Sequence, residues 1–305
     1  MEIALERFVD PASLVHVEES RRYRLAREAR GGQRGPRTYD ELLDARRGMP
    51  GVSGEGRAVE VIARVGASEV PVRVTRPADG DSRATYLDIH PGGFYLDSAA
   101  RGDVRNARVA DALGVTVVSV EYRLAPENPW PAAPEDCETA ARWVIEVAGG
   151  QIPSGPILIG GASSGATLAM TTLLRLRGRG LVDCVRGAAL CFGAYDLSGL
   201  SPGGRLYADE WFIQAYAGHV EDRTIPDVSP LFGDLGGLPP ILMLVGTRDV
   251  LLEDNLAMAA RLSAAGNEVD LRVYPEAMHG FTSHPTPMAA VALDGVRAWL
   301  AGRLT

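Results

Sequence analysis

The chain has 305 residues, 46% hydrophobic and 23% charged, with 35 Gly and 20 Pro, a profile that excludes a disordered, collagenous or coiled-coil protein. All 31 basic residues are Arg, since no Lys occurs, and this rules out a Schiff base, a phosphate-loop lysine and a Ser-Lys dyad. With 39 acidic residues the formal charge is -8, which argues against a sequence-independent grip on nucleic acid.

The first ten residues, MEIALERFVD, carry acids where an export signal carries basic residues, and no apolar run follows them. The reading is therefore a cytoplasmic chain with no membrane partner. Residues 1–50 read as amphipathic helix without strand, and the arginines between Arg21 and Arg47 alternate with Glu28, Asp40, Glu41 and Asp44, as on a solvated face. From residue 59 onward, short β-branched runs alternate with helical patterns. Strands are expected at 59–65, 70–76, 85–90, 116–121, 157–160, 187–191, 241–245 and 269–274, and helices at 104–113, 134–148, 165–177, 254–265 and 287–301. The fold class is α/β, with a mostly parallel sheet of about eight strands flanked by helices.

The first two strands should form an antiparallel hairpin around Gly66-Ala67-Ser68, and each later strand should follow a helix. Gly114, Gly149-Gly150 and Gly266 stand just past helical runs, where a left-handed residue ends a helix. Residues 197–228 break the alternation and carry the aromatic cluster Tyr207, Trp211, Phe212 and Tyr216. The expected organisation is N-terminal cap helices 1–50, core 51–196, a cap insertion 197–228 and core 229–305. Cys137, Cys184 and Cys191 are an odd set without C-x-x-C spacing, read as buried thiols, and the five His show no metal-ligand pattern, so neither metal nor cofactor is expected.

The pattern G-x-S-x-G occurs at Gly161-Ala162-Ser163-Ser164-Gly165, after the apolar run Ile157-Leu158-Ile159 and before a helical pattern. A serine on so sharp a turn needs glycine two residues away on each side, because a side chain there would collide. Gly199-Leu200-Ser201-Pro202-Gly203 matches the same pattern. It lacks a preceding strand, however, and Pro202 has no N–H to give an oxyanion. His90-Pro91-Gly92-Gly93 follows the strand at 85–90 and reads either as a loop that brings backbone donors to an oxyanion or as a plain tight turn. Asp249 and His279 each follow a later strand, giving the order Ser163, Asp249, His279, the chain order of a nucleophile-elbow triad. His16, His219 and His284 are weaker candidates by position.

These residues, together with the segment Glu121-Tyr122-Arg123-Leu124-Ala125-Pro126-Glu127 and His279-Gly280-Phe281, resemble the bacterial carboxylesterases of the hormone-sensitive lipase family of α/β-hydrolases. The resemblance runs from about residue 85 to the C-terminus. It implies an α/β-hydrolase fold with a helical cap built from 1–50 and 197–228. It also implies Ser163 as nucleophile, Asp249 and His279 as its partners, and the N–H groups of Gly92, Gly93 and Ser164 as the oxyanion hole. Phe94, Tyr95, Trp211, Phe212 and Tyr216 are candidates for the substrate pocket, with cap core as the other reading of the aromatic cluster.

The implied partner is a small-molecule ester of small to medium acyl chain, and the resemblance is compatible with a homodimer. The chain departs from the family pattern at Pro91, Asp97, Ala162 and Thr167. Pro91 removes one N–H, and Asp97 brings a carboxylate near the pocket mouth. Two other functions stay open: a tailoring enzyme on the same site (amidase, lactonase or dehydratase-like), and a non-catalytic small-molecule receptor, against which the intact His279 counts.

Overall fold

The computed structural model describes residues 5–31, 35–51, 57–147, 152 and 155–304. Its strands are β1 (Val59–Val65), β2 (Ser68–Thr75), β3 (Thr85–Ile89), β4 (Thr116–Val120), β5 (Ile157–Ala162), β6 (Val185–Cys191), β7 (Ile241–Arg248) and β8 (Val269–Met278). Among the described residues they form one eight-stranded sheet in the order β1-β2-β4-β3-β5-β6-β7-β8. Only the pairings of β2 are antiparallel. The helices are α1 (Val17–Ala29), α2 (Tyr39–Gly48), α3 (Asp103–Leu113), α4 (Ala132–Arg142), α5 (Ser164–Gly178), α6 (Pro202–Arg205), α7 (Trp211–Ala217), α8 (Leu252–Ala264) and α9 (Pro287–Ala301).

The strand order determines where a site can form. The chain leaves β3, returns through α3 to β4 on one side, then crosses back through α4 to β5 on the other. Right-handed crossovers in opposite directions place α3 and α4 on opposite faces of the sheet. Accordingly α3 packs near α9, and α4 lies beside α5. The loops after β3 and β5 therefore diverge, leaving a crevice at the carboxyl ends of two adjacent strands. Strands β3 and β4 are buried along their whole length, as expected of a parallel sheet covered on both faces.

Several expectations need correction. Ser68 pairs with Val65 inside the hairpin, so the turn is Gly66-Ala67 alone, with Gly66 at φ 60°. Strand β3 follows β2 directly with no helix between them. Helix α4 starts at Ala132 and ends at Arg142, followed by a π-helical turn Trp143–Val147; the expected stop at Gly149-Gly150 lies outside the described residues. Gly114 and Gly266 do take the left-handed conformation, at φ 61° and 88°. Cys184 is exposed and Cys191 half-buried, because Cys184 sits in the turn before β6; only Cys137 is a fully buried thiol. Strands β7 and β8 run beyond Val245 and Tyr274, to Arg248 and Met278.

The arginine-rich N-terminal region is not simply a solvated face. Leu42 of α2 is 0% exposed and joins the main core cluster. Arg46 reaches inward to donate to the carbonyls of Tyr95 (3.0 Å) and Ala125 (2.8 Å), while Arg24 of α1 bonds Glu276 in β8. No described helix is long and apolar enough to cross a membrane.

Two polar clusters pin the 197–228 segment. At one end the buried Asp254 of α8 accepts the Tyr207 hydroxyl at 2.8 Å, and the buried Asp196 accepts the N–H of Ser201 at 2.7 Å and of Ser198 at 2.9 Å. At the other end Asp227 takes both arms of Arg175 (2.6 Å each) and the indole N–H of Trp130 (2.8 Å). A planar guanidinium matches a carboxylate two bonds at a time, which orients as well as attracts.

Burial, with Asp196 nearby, raises the Asp254 carboxyl from 3.8 to about 6, against the bonds it accepts from Tyr195, Tyr207 and Asp196. The folded state thus binds the proton more tightly than the unfolded chain, and this contribution is present below about pH 4 and lost as pH rises through 6. We predict that the stability of Asp254→Asn relative to wild type, read from urea unfolding, rises by up to about 3 kcal/mol between pH 4 and pH 7.

Candidate active site

Ser163 lies between β5 and α5 at φ 53°, ψ -124°, a backbone conformation that persists only when its surroundings over-determine it. Those surroundings are backbone. A Cβ on Gly165 would come within 2.1 Å of the Ile89 carbonyl oxygen, and one on Gly161 within 2.4 Å of Gly165. The Ser163 N–H donates to the Cys191 carbonyl at 2.9 Å, so the neighbouring strand end also holds the turn. Ser163 Oγ lies 3.0 Å from His279 Nε2, and His279 Nδ1 is 3.0 Å from both carboxylate oxygens of Asp249. The His279 and Phe192 ring centroids lie 5.2 Å apart, the two planes inclined by 74°.

Sheet register brings the acid and the histidine together. Arg248 of β7 pairs with Met278 of β8, and Asp249 and His279 are the residues that follow. The Asp249 side chain is fully buried, while the His279 side chain is 39% exposed; one oxygen of Asp249 also accepts the Leu251 N–H at 2.9 Å. The imidazole is therefore fixed from behind and open in front.

The loop after β3 is tightly folded. The Gly92 carbonyl accepts from Leu96 N–H (2.8 Å) and Tyr95 N–H (3.2 Å), with Gly92 at φ 120° and Gly93 at 61°. The Gly92 and Gly93 N–H groups donate to no described residue. Pro91 supplies the carbonyl that pairs with His90 Nδ1 at 2.7 Å. The His90 ring stacks on Tyr122 at 4.0 Å, and burial lowers its pKa. Asp97 is not a bare charge at the pocket mouth: Arg101 pairs with it at 3.1 Å, and it accepts the Ser98 N–H at 2.9 Å. Thr167 donates to the Ala194 carbonyl at 2.7 Å, tying α5 to the loop after β6.

Of the aromatic candidates, Phe94 and Tyr216 are buried and stack on each other at 4.0 Å. Tyr95, also buried, meets Trp211 at 5.7 Å. These contacts seat the 197–228 segment on the loop after β3. Phe212 stays half-buried, with its Cβ 3.5 Å from where a Cβ on Gly93 would stand. Ser201 instead caps α6, its hydroxyl accepting the Gly204 N–H at 3.0 Å.

The sequence reading missed Glu276, Arg248 and Arg24. Glu276 accepts from Arg248 at 2.9 Å and from Arg24 at 2.7 Å; those guanidinium groups, Arg248 foremost, hold its carboxyl below the usual range. Nothing in local patterning marks such a bridge, since Arg24 and Glu276 are 252 positions apart. His284, beside Arg27 (3.1 Å) and Tyr23, is pushed down to about 4 by burial, then by Arg27 and His279. It is neutral at pH 7 and plays no part in the Ser163 relay.

Comparison with known proteins gives a consistent picture. A family model described as the alpha/beta hydrolase fold matches residues 86–283. An acetyl-hydrolase of Streptomyces hygroscopicus is 34% identical over 214 residues, covering 67% of this chain and 70% of that protein. An ethyl acetate hydrolase of Pseudomonas putida is 32% identical, covering 70% and 71%. Among solved structures, a hyperthermophilic esterase from the archaeon Pyrobaculum calidifontis superposes with TM-score 0.76 at 28% identity, covering 86% of this chain and 89% of that one. A hormone-sensitive lipase from a metagenome library gives 0.75 at 27%, covering 94% and 98%.

A Cβ at position 92 would stand 2.1 Å from the Leu96 carbonyl oxygen, and the positive φ adds to the conflict. Gly92→Ala is therefore expected to open the loop after β3 and lower kcat on a p-nitrophenyl ester by roughly 10²- to 10³-fold. Circular dichroism should show the fold retained; an unchanged kcat would show that the geometry of the loop at Gly92 does not matter for turnover.

Proposed function

The chain belongs to the hormone-sensitive lipase family of α/β-hydrolases, and from that premise we propose that it hydrolyses carboxylic esters through an acyl-enzyme on Ser163. The observation that carries the proposal is the continuous relay Ser163 Oγ to His279 Nε2 and His279 Nδ1 to Asp249, each link 3.0 Å. In this reading Ser163 Oγ attacks the acyl carbon while its proton passes to His279 Nε2. Asp249 holds the ring in the tautomer that leaves Nε2 free to accept, and stabilises the imidazolium. The oxyanion is received by the N–H groups of Gly92, Gly93 and Ser164, the last at the N-terminus of the 15-residue α5, where the helix dipole favours negative charge. His279 then protonates the departing alkoxide, and a water activated by the same imidazole releases the acid.

In the same reading residues 1–50 and 197–228 form the cap over this crevice. Phe212 above Gly93 limits its depth and favours small acyl groups. Relatives named for acetyl and ethyl acetate hydrolysis support the choice of small esters. A receptor that merely holds a ligand has no need of the hydrogen-bonded relay, so the catalytic reading is preferred.

A p-nitrophenyl ester series run on wild type, Ser163→Ala and Ser201→Ala tests this. Turnover should favour acetate and butyrate over longer chains and fall roughly 10⁴- to 10⁶-fold in Ser163→Ala. Ser201→Ala should keep its activity and lose only about 1 kcal/mol of stability with its helix cap. Loss of activity in Ser201→Ala alone would refute the assignment.

A further inference from the structure

Between the paired positions Gly246↔Tyr274 and Arg248↔Met278, one residue of β7 faces three of β8. Glu276 is the middle of those three and stands at φ 57°, a region that glycine enters freely and a long side chain rarely does. A strained residue at a bulge beside a site persists when other interactions hold it there. Here they are explicit. The Glu276 N–H donates to Thr247 Oγ1 at 2.9 Å, closing the bulge from the β7 side. One carboxylate oxygen accepts from Arg248 at 2.9 and 3.3 Å, and the other accepts from Arg24 at 2.7 and 3.1 Å.

Arg248 directly precedes Asp249, and Glu276 stands three residues before His279. The ion pair therefore ties the segment carrying the acid to the segment carrying the histidine, outside the Asp249–His279 contact itself. Arg24 anchors the same carboxylate to α1, which packs along β8. The Arg24 and Glu276 side chains are 12% and 16% exposed, so water screens this contact far less than it would a surface pair. On the other flank, a Cβ on Gly246 would lie 2.1 Å from the Ala277 carbonyl oxygen, so the bulge is seated directly on β7 and its shape is transmitted to both segments.

We infer that Glu276 is a positioning residue: it clamps the Asp249 and His279 segments through Arg248 and couples them to the N-terminal helix through Arg24. The inference rests on the esterase reading, but the clamp has a consequence that requires no substrate. A proton shared between His279 Nδ1 and Asp249 gives a far-downfield ¹H signal only while the two segments stay in register and water is excluded.

The test uses the full chain with Glu276→Gly, Glu276→Gln, Arg248→Gln and the double variant Arg248→Gln/Glu276→Gln. Glycine suits the backbone at this position, so Glu276→Gly should fold. Its kcat on p-nitrophenyl butyrate is expected to fall about ten- to a hundredfold with KM nearly unchanged, and its downfield signal to broaden. Glu276→Gln, which keeps the length and one acceptor, should recover part of the loss. The double variant should lose no more than the worse single one, as for two ends of one link.

Wild-type kcat and an intact downfield signal in Glu276→Gly would overturn the inference. So would strictly additive losses in the double variant, or a loss confined to KM. If the wild type turns over no ester, the esterase reading fails separately, and the ¹H signal alone still decides whether Glu276 holds the pair.

Discussion

Three stretches of backbone cross so closely beneath Ser163 that no side chain fits between them, and the candidate site depends on that crossing. Ile89 at the end of β3, Gly161 in β5 and Gly165 in α5 meet where an added Cβ would lie 2.1 to 2.8 Å from its neighbours. The contact fixes the loop that carries Gly92 and Gly93 against the turn that carries Ser163. Glycine is required for a steric reason, since the space is filled by carbonyl groups that cannot move without breaking the parallel pairing of β3 with β5. Ser163 and the backbone of Gly92 and Gly93 are thus placed by the same packing that makes the sheet.

The other half of the relay is placed by register. Arg248 pairs with Met278, and the residues that follow them are the acid and the histidine. A one-residue slip would turn the side chains to opposite faces of the sheet, so the hydrogen bonds across β7 and β8 are what keep Asp249 and His279 within reach of each other. The bulge at Glu276 adjusts this end of the sheet, and the Arg248 and Arg24 contacts hold the adjustment.

With no lysine, every fixed cation is a guanidinium, and the chain uses its two-pronged geometry as a fastening. Arg46 holds α2 to the loop after β3, Arg175 holds Asp227, Arg73 and Arg123 grip Asp103 and Asp136, and Arg24 holds β8. Peripheral segments are tied to the sheet by oriented bonds in addition to apolar burial. The buried Asp196 and Asp254 serve the 197–228 segment in the same way, except that their donors are backbone N–H groups and the hydroxyls of Ser198 and Tyr207.

The sequence by itself determined the alternation of strands and helices, the G-x-S-x-G turn and the order Ser163, Asp249, His279. These are legible because periodicity, glycine requirements and chain order are local or one-dimensional properties. It also separated Ser163 from Ser201, through the missing N–H of Pro202. Tertiary structure alone decided the rest. Patterning stopped β7 and β8 at Val245 and Tyr274, because the last residues pair across a bulge that has no alternation to read. The helical face between Arg21 and Arg47 looked solvated, because the partners of Arg24 and Arg46 lie in distant parts of the chain. Tyr216 of the aromatic cluster reads from sequence as pocket or as core, and its buried stacking on Phe94 joins two segments far apart in the chain. A contact between residues far apart in sequence is set by how the sheet is ordered and twisted, and no local pattern encodes that.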